Sequence, residues 1–508
     1  MGKAMASRPK LRSRERGAFA VMFVPLLIVI IGFCGLALDM GRLYNRKVDL
    51  SGLSKAVALA AARELNGTPE GIQQAKLKAR ETAERLRYSY YGSGIPVTWS
   101  EAALSFGISP SRSGTWTPAS DFGAGSTADV SRIYFAKVDS DGLDAEISTV
   151  DTIFMRILYS SLANIHVQDS AVAGRASINV TPIAVCAMST ERAEARNATP
   201  GGGGTALSEL VQYGFRRGVS YDLMQLNPNG TSPARYAVNP TVAPGAAGSA
   251  FTISRLAPFL CNGTMWVPRL SGDDIRVSPL PSSPLVDLHA ALNSRFNEYG
   301  GSSCQSNVSP PDANIKKYAY DQVDGVKWMD PALGKPAALT TTARNKLETV
   351  ADLPDDHASL PSSKGDYGPL WSYARAARAP TPVTAEPSGG YSSFDTASWA
   401  TLYKSGPATL GTYPGSTSTP YQATTATNGF FAAPAVPAGT VATRHRRVLH
   451  IPLLSCSPDN PAGANASARV AAIGKFFMTV PATQDTLIAE FSGLVSEQSL
   501  SGEVRLYP

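Results

Sequence analysis

From Gly17 through Leu38 the chain runs for 22 residues without a charge, GAFAVMFVPLLIVIIGFCGLAL. As a helix rising 1.5 Å per residue it is about 33 Å long, enough to cross the hydrocarbon of a bilayer once. Pro25 falls in its first half, where the carbonyl it frees is satisfied locally, so it bends the helix without ending it. A cleaved secretory signal would carry an apolar core of about 7–15 residues and then a small-residue cleavage site. This run is longer, and helix formers continue past it. Cys34 follows Phe33, where a lipoprotein would need a small residue. The segment therefore reads as an uncleaved single-pass anchor with its ends at Gly17 and Leu38.

The charge pattern orients that anchor. Lys3, Arg8, Lys10, Arg12, Arg14 and Arg16 against Glu15 place +5 of the formal net charge of +6 in the first 17 residues. Three cations, Arg42, Arg46 and Lys47, follow the span, so the positive-inside rule keeps the amino terminus cytoplasmic and exports the bulk. A duplex-binding protein needs basic residues massed on a folded face, and the excess here lies on a short tail, which argues against nucleic acid as a partner. Cysteine usage fits export. Cys34 lies in the span, and Cys186, Cys261, Cys304 and Cys456 all fall beyond it, an even number that permits two disulfides in an oxidising compartment. No CxxC pair occurs and the five histidines are scattered, so neither a metal site nor a cofactor is expected.

Organisation along the exported part follows from periodicity. Helix continues beyond the span, free of proline from Asp39 to Leu65, with Leu50, Leu53, Val57 and Ala60 recurring as a packing stripe. The small residues from Ala56 to Ala62 admit close approach of another helix, either in a membrane or from the protein's own globular part. Asn66-Gly67-Thr68-Pro69 ends this helix and starts a second, from Glu70 to about Tyr91. Residues 95–180 read as a small α+β unit, with strands at Arg132 to Val138 and Ala145 to Val150 and one helical face over Asp151 to Leu162. Residues 181–508 read as a larger α/β domain. Short buried strands at Thr181 to Val185 and Arg446 to Leu454 each run into a cysteine, helices are expected at Thr205 to Arg217 and Leu285 to Tyr299, and Arg469 to Val480 with Thr486 to Val495 form a closing pair of strands. Residues 380–440 hold only Glu386, Asp395 and Lys404 as charges among Ala, Pro, Ser, Thr and Gly, a long insertion in which Tyr391, Phe394, Trp399, Tyr403 and Tyr413 suggest partial packing.

If the two cysteine-bearing strands are parallel neighbours, as the first and fourth strands of a doubly wound sheet are, Cys186 and Cys456 emerge at one sheet edge. Adjacent strands lie about 4.8 Å apart, inside the Cα separation of about 4.4–6.8 Å that a disulfide requires. Cys261 and Cys304 would then close a local loop, although Cys186 with Cys261 is also feasible.

The stretch ERGAFAVMFVPLLIVIIGFCGLALDMGRLYNRKVDLSGLSKAVALAAAREL resembles the amino-terminal segment of TadG-like proteins of the Tad (tight adherence, Flp) pilus assembly system. Arg16-Gly17, Leu38-Asp39-Met40-Gly41-Arg42 and the alanine-rich Ala56 to Ala62 carry the likeness. VDTIFMRIL and VQDSAVAGRA, within Ser131 to Ala176, look like the pilin-like region that TadE and TadG proteins share. The resemblance implies a membrane-anchored α+β protein: one transmembrane helix extended into the periplasm, a pilin-like unit, and a larger domain related to a degenerate von Willebrand factor A fold. Processing by a prepilin peptidase would use Gly17 and usually needs Glu five residues on, where Met22 stands. The metal loop of a von Willebrand factor A domain needs Asp-x-Ser-x-Ser, but Cys186-Ala187-Met188-Ser189-Thr190 occupies that place, and a hard cation would find no carboxylate there.

Catalytic motifs are missing. There is no GxSxG elbow, HExxH pair or phosphate loop. Asp355-Asp356-His357 lies between prolines and reads as a solvated turn, His450 as a hydrogen-bonded core or edge histidine, and Gly201 to Gly204 as a flexible turn. The expectation is a non-enzymatic accessory, tethering or scaffold component of Tad/Flp pilus assembly in the bacterial inner membrane, with its bulk in the periplasm. Its partners would be other assembly components or pilin-like proteins, with self-association open and no small-molecule substrate. The alternative is an exported adhesin-like or envelope-sensing protein that presents residues 380–440 as its contact surface.

Overall fold

The computed structural model describes residues 16–507 except 67, 86, 91–92, 124–129, 131–132, 144, 201–202, 320–334, 354–363, 385, 404–419, 422–438, 440 and 501. The basic tail up to residue 15, Asp355-Asp356-His357, Gly201, Tyr413 and most of the 380–440 insertion lie outside the described residues. The chain divides into two units, Met1–Gly174 with Val504–Pro508, and Arg175–Glu503.

The first unit is built on one long helix, α1, Arg16–Glu64. Its described apolar residues from Met22 to Leu38 are mostly exposed, whereas Leu50, Leu53, Val57, Ala58, Ala61, Ala62 and Leu65 are buried. Ala60, expected in the stripe, is half-buried, because at 3.6 residues per turn the inward face drifts onto Ala61. Thr68 caps the second helix, α2, Pro69–Arg85, its Oγ1 accepting from Gly71 N at 3.1 Å. Gly71, Ile72, Ala75, Ala79 and Ala83 form the buried face of α2 and share a core with α1. The small residues of α1 thus serve close packing inside its own unit. Helix α2 stops at Arg85, short of the expected Tyr91, and Arg87–Tyr90 pairs instead with Ser93–Pro96 as a hairpin.

Against α1 and α2 lies a five-stranded sheet, ordered Val504–Tyr507, Ser170–Arg175, Phe135–Asp139, Leu104–Gly107, Trp116–Pro118. Inward residues of alternate positions, such as Ala136, Val138, Leu104 and Phe106, join Leu53 and Val57 in one core. Two further expectations fail in this unit. Ala145–Ser148 is a helical turn, α3, and strand begins only at Thr149–Asp151, which pairs with Asn164–His166. Asp151 to Leu162 is not one helix but a single turn, α4, Met155–Leu158, followed by a 3-10 turn at Ser160–Leu162. Its apolar periodicity misled because Ile153 and Ile157 face outward, so no core holds a longer helix.

The second unit is organised on an eight-stranded sheet. Its order is Ser220–Asp222, Ile488–Val495, Val470–Met478, Val448–Leu454, Ile183–Cys186, Arg235–Val238, Ile275–Pro279, Ala466–Ala468. The closing pair, Val470–Met478 with Ile488–Val495, is antiparallel. Among the described strand pairs of this sheet, Val448–Leu454 and Ile183–Cys186 run parallel and the others antiparallel. The doubly wound α/β sheet expected here is therefore replaced by a mixed, mainly antiparallel one, since parallel neighbours need crossover helices and the described helices of this unit are short: Ala257–Asn262, His289–Asn293 and Trp399–Leu402. Both faces are covered. Ile183, Val185, Leu449, Ile451 and Leu453 enter one core, and Ala184, Cys186, Leu454 and Cys456 the other. Phe394, Trp399 and Tyr403 of the insertion are buried in the first of these cores.

Thr205 to Arg217 is not helical. Leu207–Gln212 and Phe215–Arg216 form a hairpin, with Tyr213 (φ 49°) and Gly214 (φ 78°) as its two turn residues. Positive φ at both central positions is the two-residue turn that matches strand twist, and a helix cannot contain it. Of the helix expected from Leu285 to Tyr299, His289–Asn293 and a 3-10 turn at Ser294–Phe296 form, and Asn297 at φ 64° ends them.

Candidate functional site

Where the apolar run of α1 ends, a carboxylate is turned inward. Asp39 is 1% exposed. Its Oδ1 accepts from Ile153 N at 3.0 Å, and its Oδ2 accepts from Phe154 N and Met155 N, each at 2.7 Å. These donors open α4, which has no side-chain cap of its own, so α1 supplies the cap across 114 to 116 residues of sequence. Burial pushes the Asp39 carboxyl up, but the three N–H groups, helped by Arg42, outweigh it and hold the group below the usual range. One turn earlier, Gly35 lies so close to Phe154 that any side chain there would overlap the ring.

The loop that delivers these donors is closed at its neck. Thr152 N donates to Ala163 O at 2.9 Å, and Thr152 Oγ1 to Leu162 O at 2.6 Å, beside the Thr149–Asp151 and Asn164–His166 pairing. Two turns beyond Asp39, Arg46 Nη1 donates to Ile147 O at 2.7 Å. The buried side of α1 therefore runs from Gly35 through Asp39 to Leu50, Leu53 and Val57, and the last of the span-like run already belongs to the folded unit. In the sequence Asp39 and the VDTIFMRIL segment stand more than a hundred residues apart. An acid placed directly after a charge-free run was the signal that could have joined them.

In the second unit the parallel register sets Leu454 opposite Cys186, and Cys456 follows two residues on. Cys186 is bonded to Cys456 and Cys261 to Cys304, with Cα separations of 5.6 and 5.5 Å. Cys34 is free and exposed.

Several charged groups of this unit are buried. Glu209, fully buried, pairs with Arg216 at 2.9 Å and Arg196 at 3.3 Å beside a cleft of 430 Å³ that also reaches Arg344, Glu348 and Asp352. Asp352 accepts from Tyr221 OH at 2.9 Å, and burial pushes its carboxyl up to about 6. Glu490 accepts from the backbone N–H groups of Ser372, Tyr373 and Ala374, and burial lifts it to about 7 despite them. These acids tie loops to strands. Ser189, in the loop compared with a metal site, hydrogen bonds to Glu194 and lines a smaller hollow. His450 Nδ1 lies 3.0 Å from Asn179 O. No group of three or more His, Cys, Asp or Glu residues able to hold a metal occurs among the described residues.

Among the described residues one helix is long and apolar enough, by length and composition, to cross a membrane, and beyond that stretch it packs into its own α+β unit. Residues 17–64 match the family described as Tad, putative Flp pilus-assembly TadE/G-like, and over that segment the chain is similar to those proteins. No curated protein and no solved structure matches the chain.

Proposed function

We propose that the protein is a non-enzymatic accessory of Tad/Flp pilus assembly, held in the inner membrane by the first half of α1 and tethering or scaffolding the fibre from the periplasm. The observation that carries this is the coincidence of the TadE/G-like segment, residues 17–64, with a helix that is exposed from Met22 to Cys34 and embedded in its own sheet-bearing unit beyond. A long helix half covered by an antiparallel sheet suits the pilin-like unit that the family resemblance implies, and such a unit could engage pilin-like partners. The cationic tail favours a cytoplasmic amino terminus, and two disulfides suit an oxidising compartment. The adhesin reading draws less support. Phe394, Trp399 and Tyr403, which would make its contact surface attractive, are spent on the core.

A clean deletion in the source bacterium tests the proposal. Surface Flp pili and attachment should fall while growth is unchanged, and the full-length protein should restore them. Unchanged piliation would reject the proposed role.

A further inference from the structure

The loop that grips α1 buries Met155 but turns several other apolar side chains outward. Ile157 is 76% exposed, Tyr159 70% and Ile153 49%, with Leu162 and Arg156 also exposed. Loop tips facing water ordinarily carry small or polar residues. Here the polar Thr152 is used up in closing the neck, and the large apolar groups are displayed.

Their height along α1 is fixed by two contacts. Phe154 lies on Gly35, three residues before the end of the charge-free run, or about 4.5 Å along the helix axis from Leu38. Asp39, the next residue after that run, holds the backbone of Ile153, Phe154 and Met155. With the run filling the hydrocarbon of a bilayer, this backbone stands within one helical turn of the outer boundary. Met40 and Tyr44, on the next turns of α1, are exposed as well. Tyrosine and arginine at such a level suit the headgroup zone, where a ring or a long stem is apolar at its base and polar at its tip.

We propose that residues 153–162 form a wedge seated in the interface of the bilayer that α1 spans. Ile153, Ile157 and Leu162 enter the acyl boundary, Tyr159 stays at headgroup level, and Arg156 reaches lipid phosphate. The occupant is lipid because the patch is continuous with the span itself, through Gly35 and Asp39. A lone spanning helix can turn freely about its own axis. A wedge at a second point on the membrane removes that freedom and presents one defined face of the first unit to its surroundings. The proposal rests on the spanning reading of α1.

The test uses the full-length chain in lipid nanodiscs, with an environment-sensitive NBD fluorophore on a single cysteine. The wild type is labelled at Cys34. Ile157→Cys and Tyr159→Cys are labelled in a Cys34→Ser background, and Ile108→Cys, an exposed isoleucine outside the patch, serves as the control. Expected is blue-shifted emission at 157, quenching by lipids that carry a nitroxide near the top of the acyl chain, loss of quenching by aqueous iodide, and the opposite pattern at 108. Cys34 quenched by lipid while 157 and 159 respond only to iodide would overturn the wedge and leave the anchor standing. Shielding from iodide without lipid quenching at 157 would point to a protein occupant, a second copy included, and would overturn it too. No lipid quenching at Cys34 would defeat the spanning reading and the wedge together.

Discussion

Replacing Asp39 by alanine should release the 151–163 loop from α1 without unfolding the unit. The carboxylate accepts three backbone N–H bonds, at 3.0, 2.7 and 2.7 Å, from a buried position. Hydrogen bonds to a charged acceptor contribute about 1.5–3 kcal/mol each, and a neutral bond about 1 kcal/mol. Water can reach a released loop and solvate the freed donors, so the lower figure is the safer one, giving about 3 kcal/mol for the set. At 1.4 kcal/mol per decade this is roughly a hundredfold rise in the population of the undocked loop. The core formed by Leu50, Leu53, Val57 and Ala61 does not include Asp39 and should be untouched. Hydrogen exchange followed by mass spectrometry on the detergent-solubilised full chain reads both effects. Amides of 153–155 should exchange about a hundredfold faster in D39A, and those of 50–62 at the wild-type rate. Unchanged exchange at 153–155 would show that the carboxylate is not what holds the loop, and the clamp would have to be abandoned.

Gly35→Ala should loosen the same loop although alanine favours an isolated helix by about 1 kcal/mol, because its Cβ overlaps the Phe154 ring; tighter protection at 153–155 would contradict this. The Cys186–Cys456 bridge closes 270 residues, so C186S/C456S should cost the second unit up to about 6 kcal/mol on the chain-entropy model, against about 4 for the 43-residue Cys261–Cys304 loop. Denaturant melts rank the two, after non-reducing peptide maps establish the bridges in the purified protein. Glu490 sits near 7 in the folded state against an ordinary 4.5, so folding favours its protonated form. Stability from this group is complete below about pH 4 and fades as pH rises through 7, by on the order of 3 kcal/mol. E490Q should flatten that slope whatever it does to absolute stability, and a slope unchanged in E490Q would assign the pH dependence to other groups.

Features written in long or simple patterns were legible in the sequence. The charge-free run and, Ala60 apart, the helical stripe beyond it needed only periodicity, whereas the cystine pairing depended on two cysteine-bearing strands being neighbours and left Cys186 with Cys261 open. Hairpins were misread where apolar spacing served either period. Leu207–Gln212 satisfied a helical template, and only the positive φ of Tyr213 and Gly214 decides against it. The clamp escaped because its halves lie more than a hundred residues apart, and Ile153 and Ile157 mimic a core face while pointing outward. The parallel pair expected by analogy with a doubly wound sheet does exist, but the neighbours on either side of that pair are antiparallel.

The central claim, that this chain serves Flp pilus assembly from a membrane anchor, is met most directly by complementing the deletion strain with two forms of the protein. One is full length. The other is exported by a cleavable signal and begins at Gly35, so it keeps the folded units with the Phe154 contact and lacks all but the last turn of the span. Counting surface pili per cell should show restoration by the first and none by the second at equal abundance. Full restoration by the form lacking the span would contradict the anchored role.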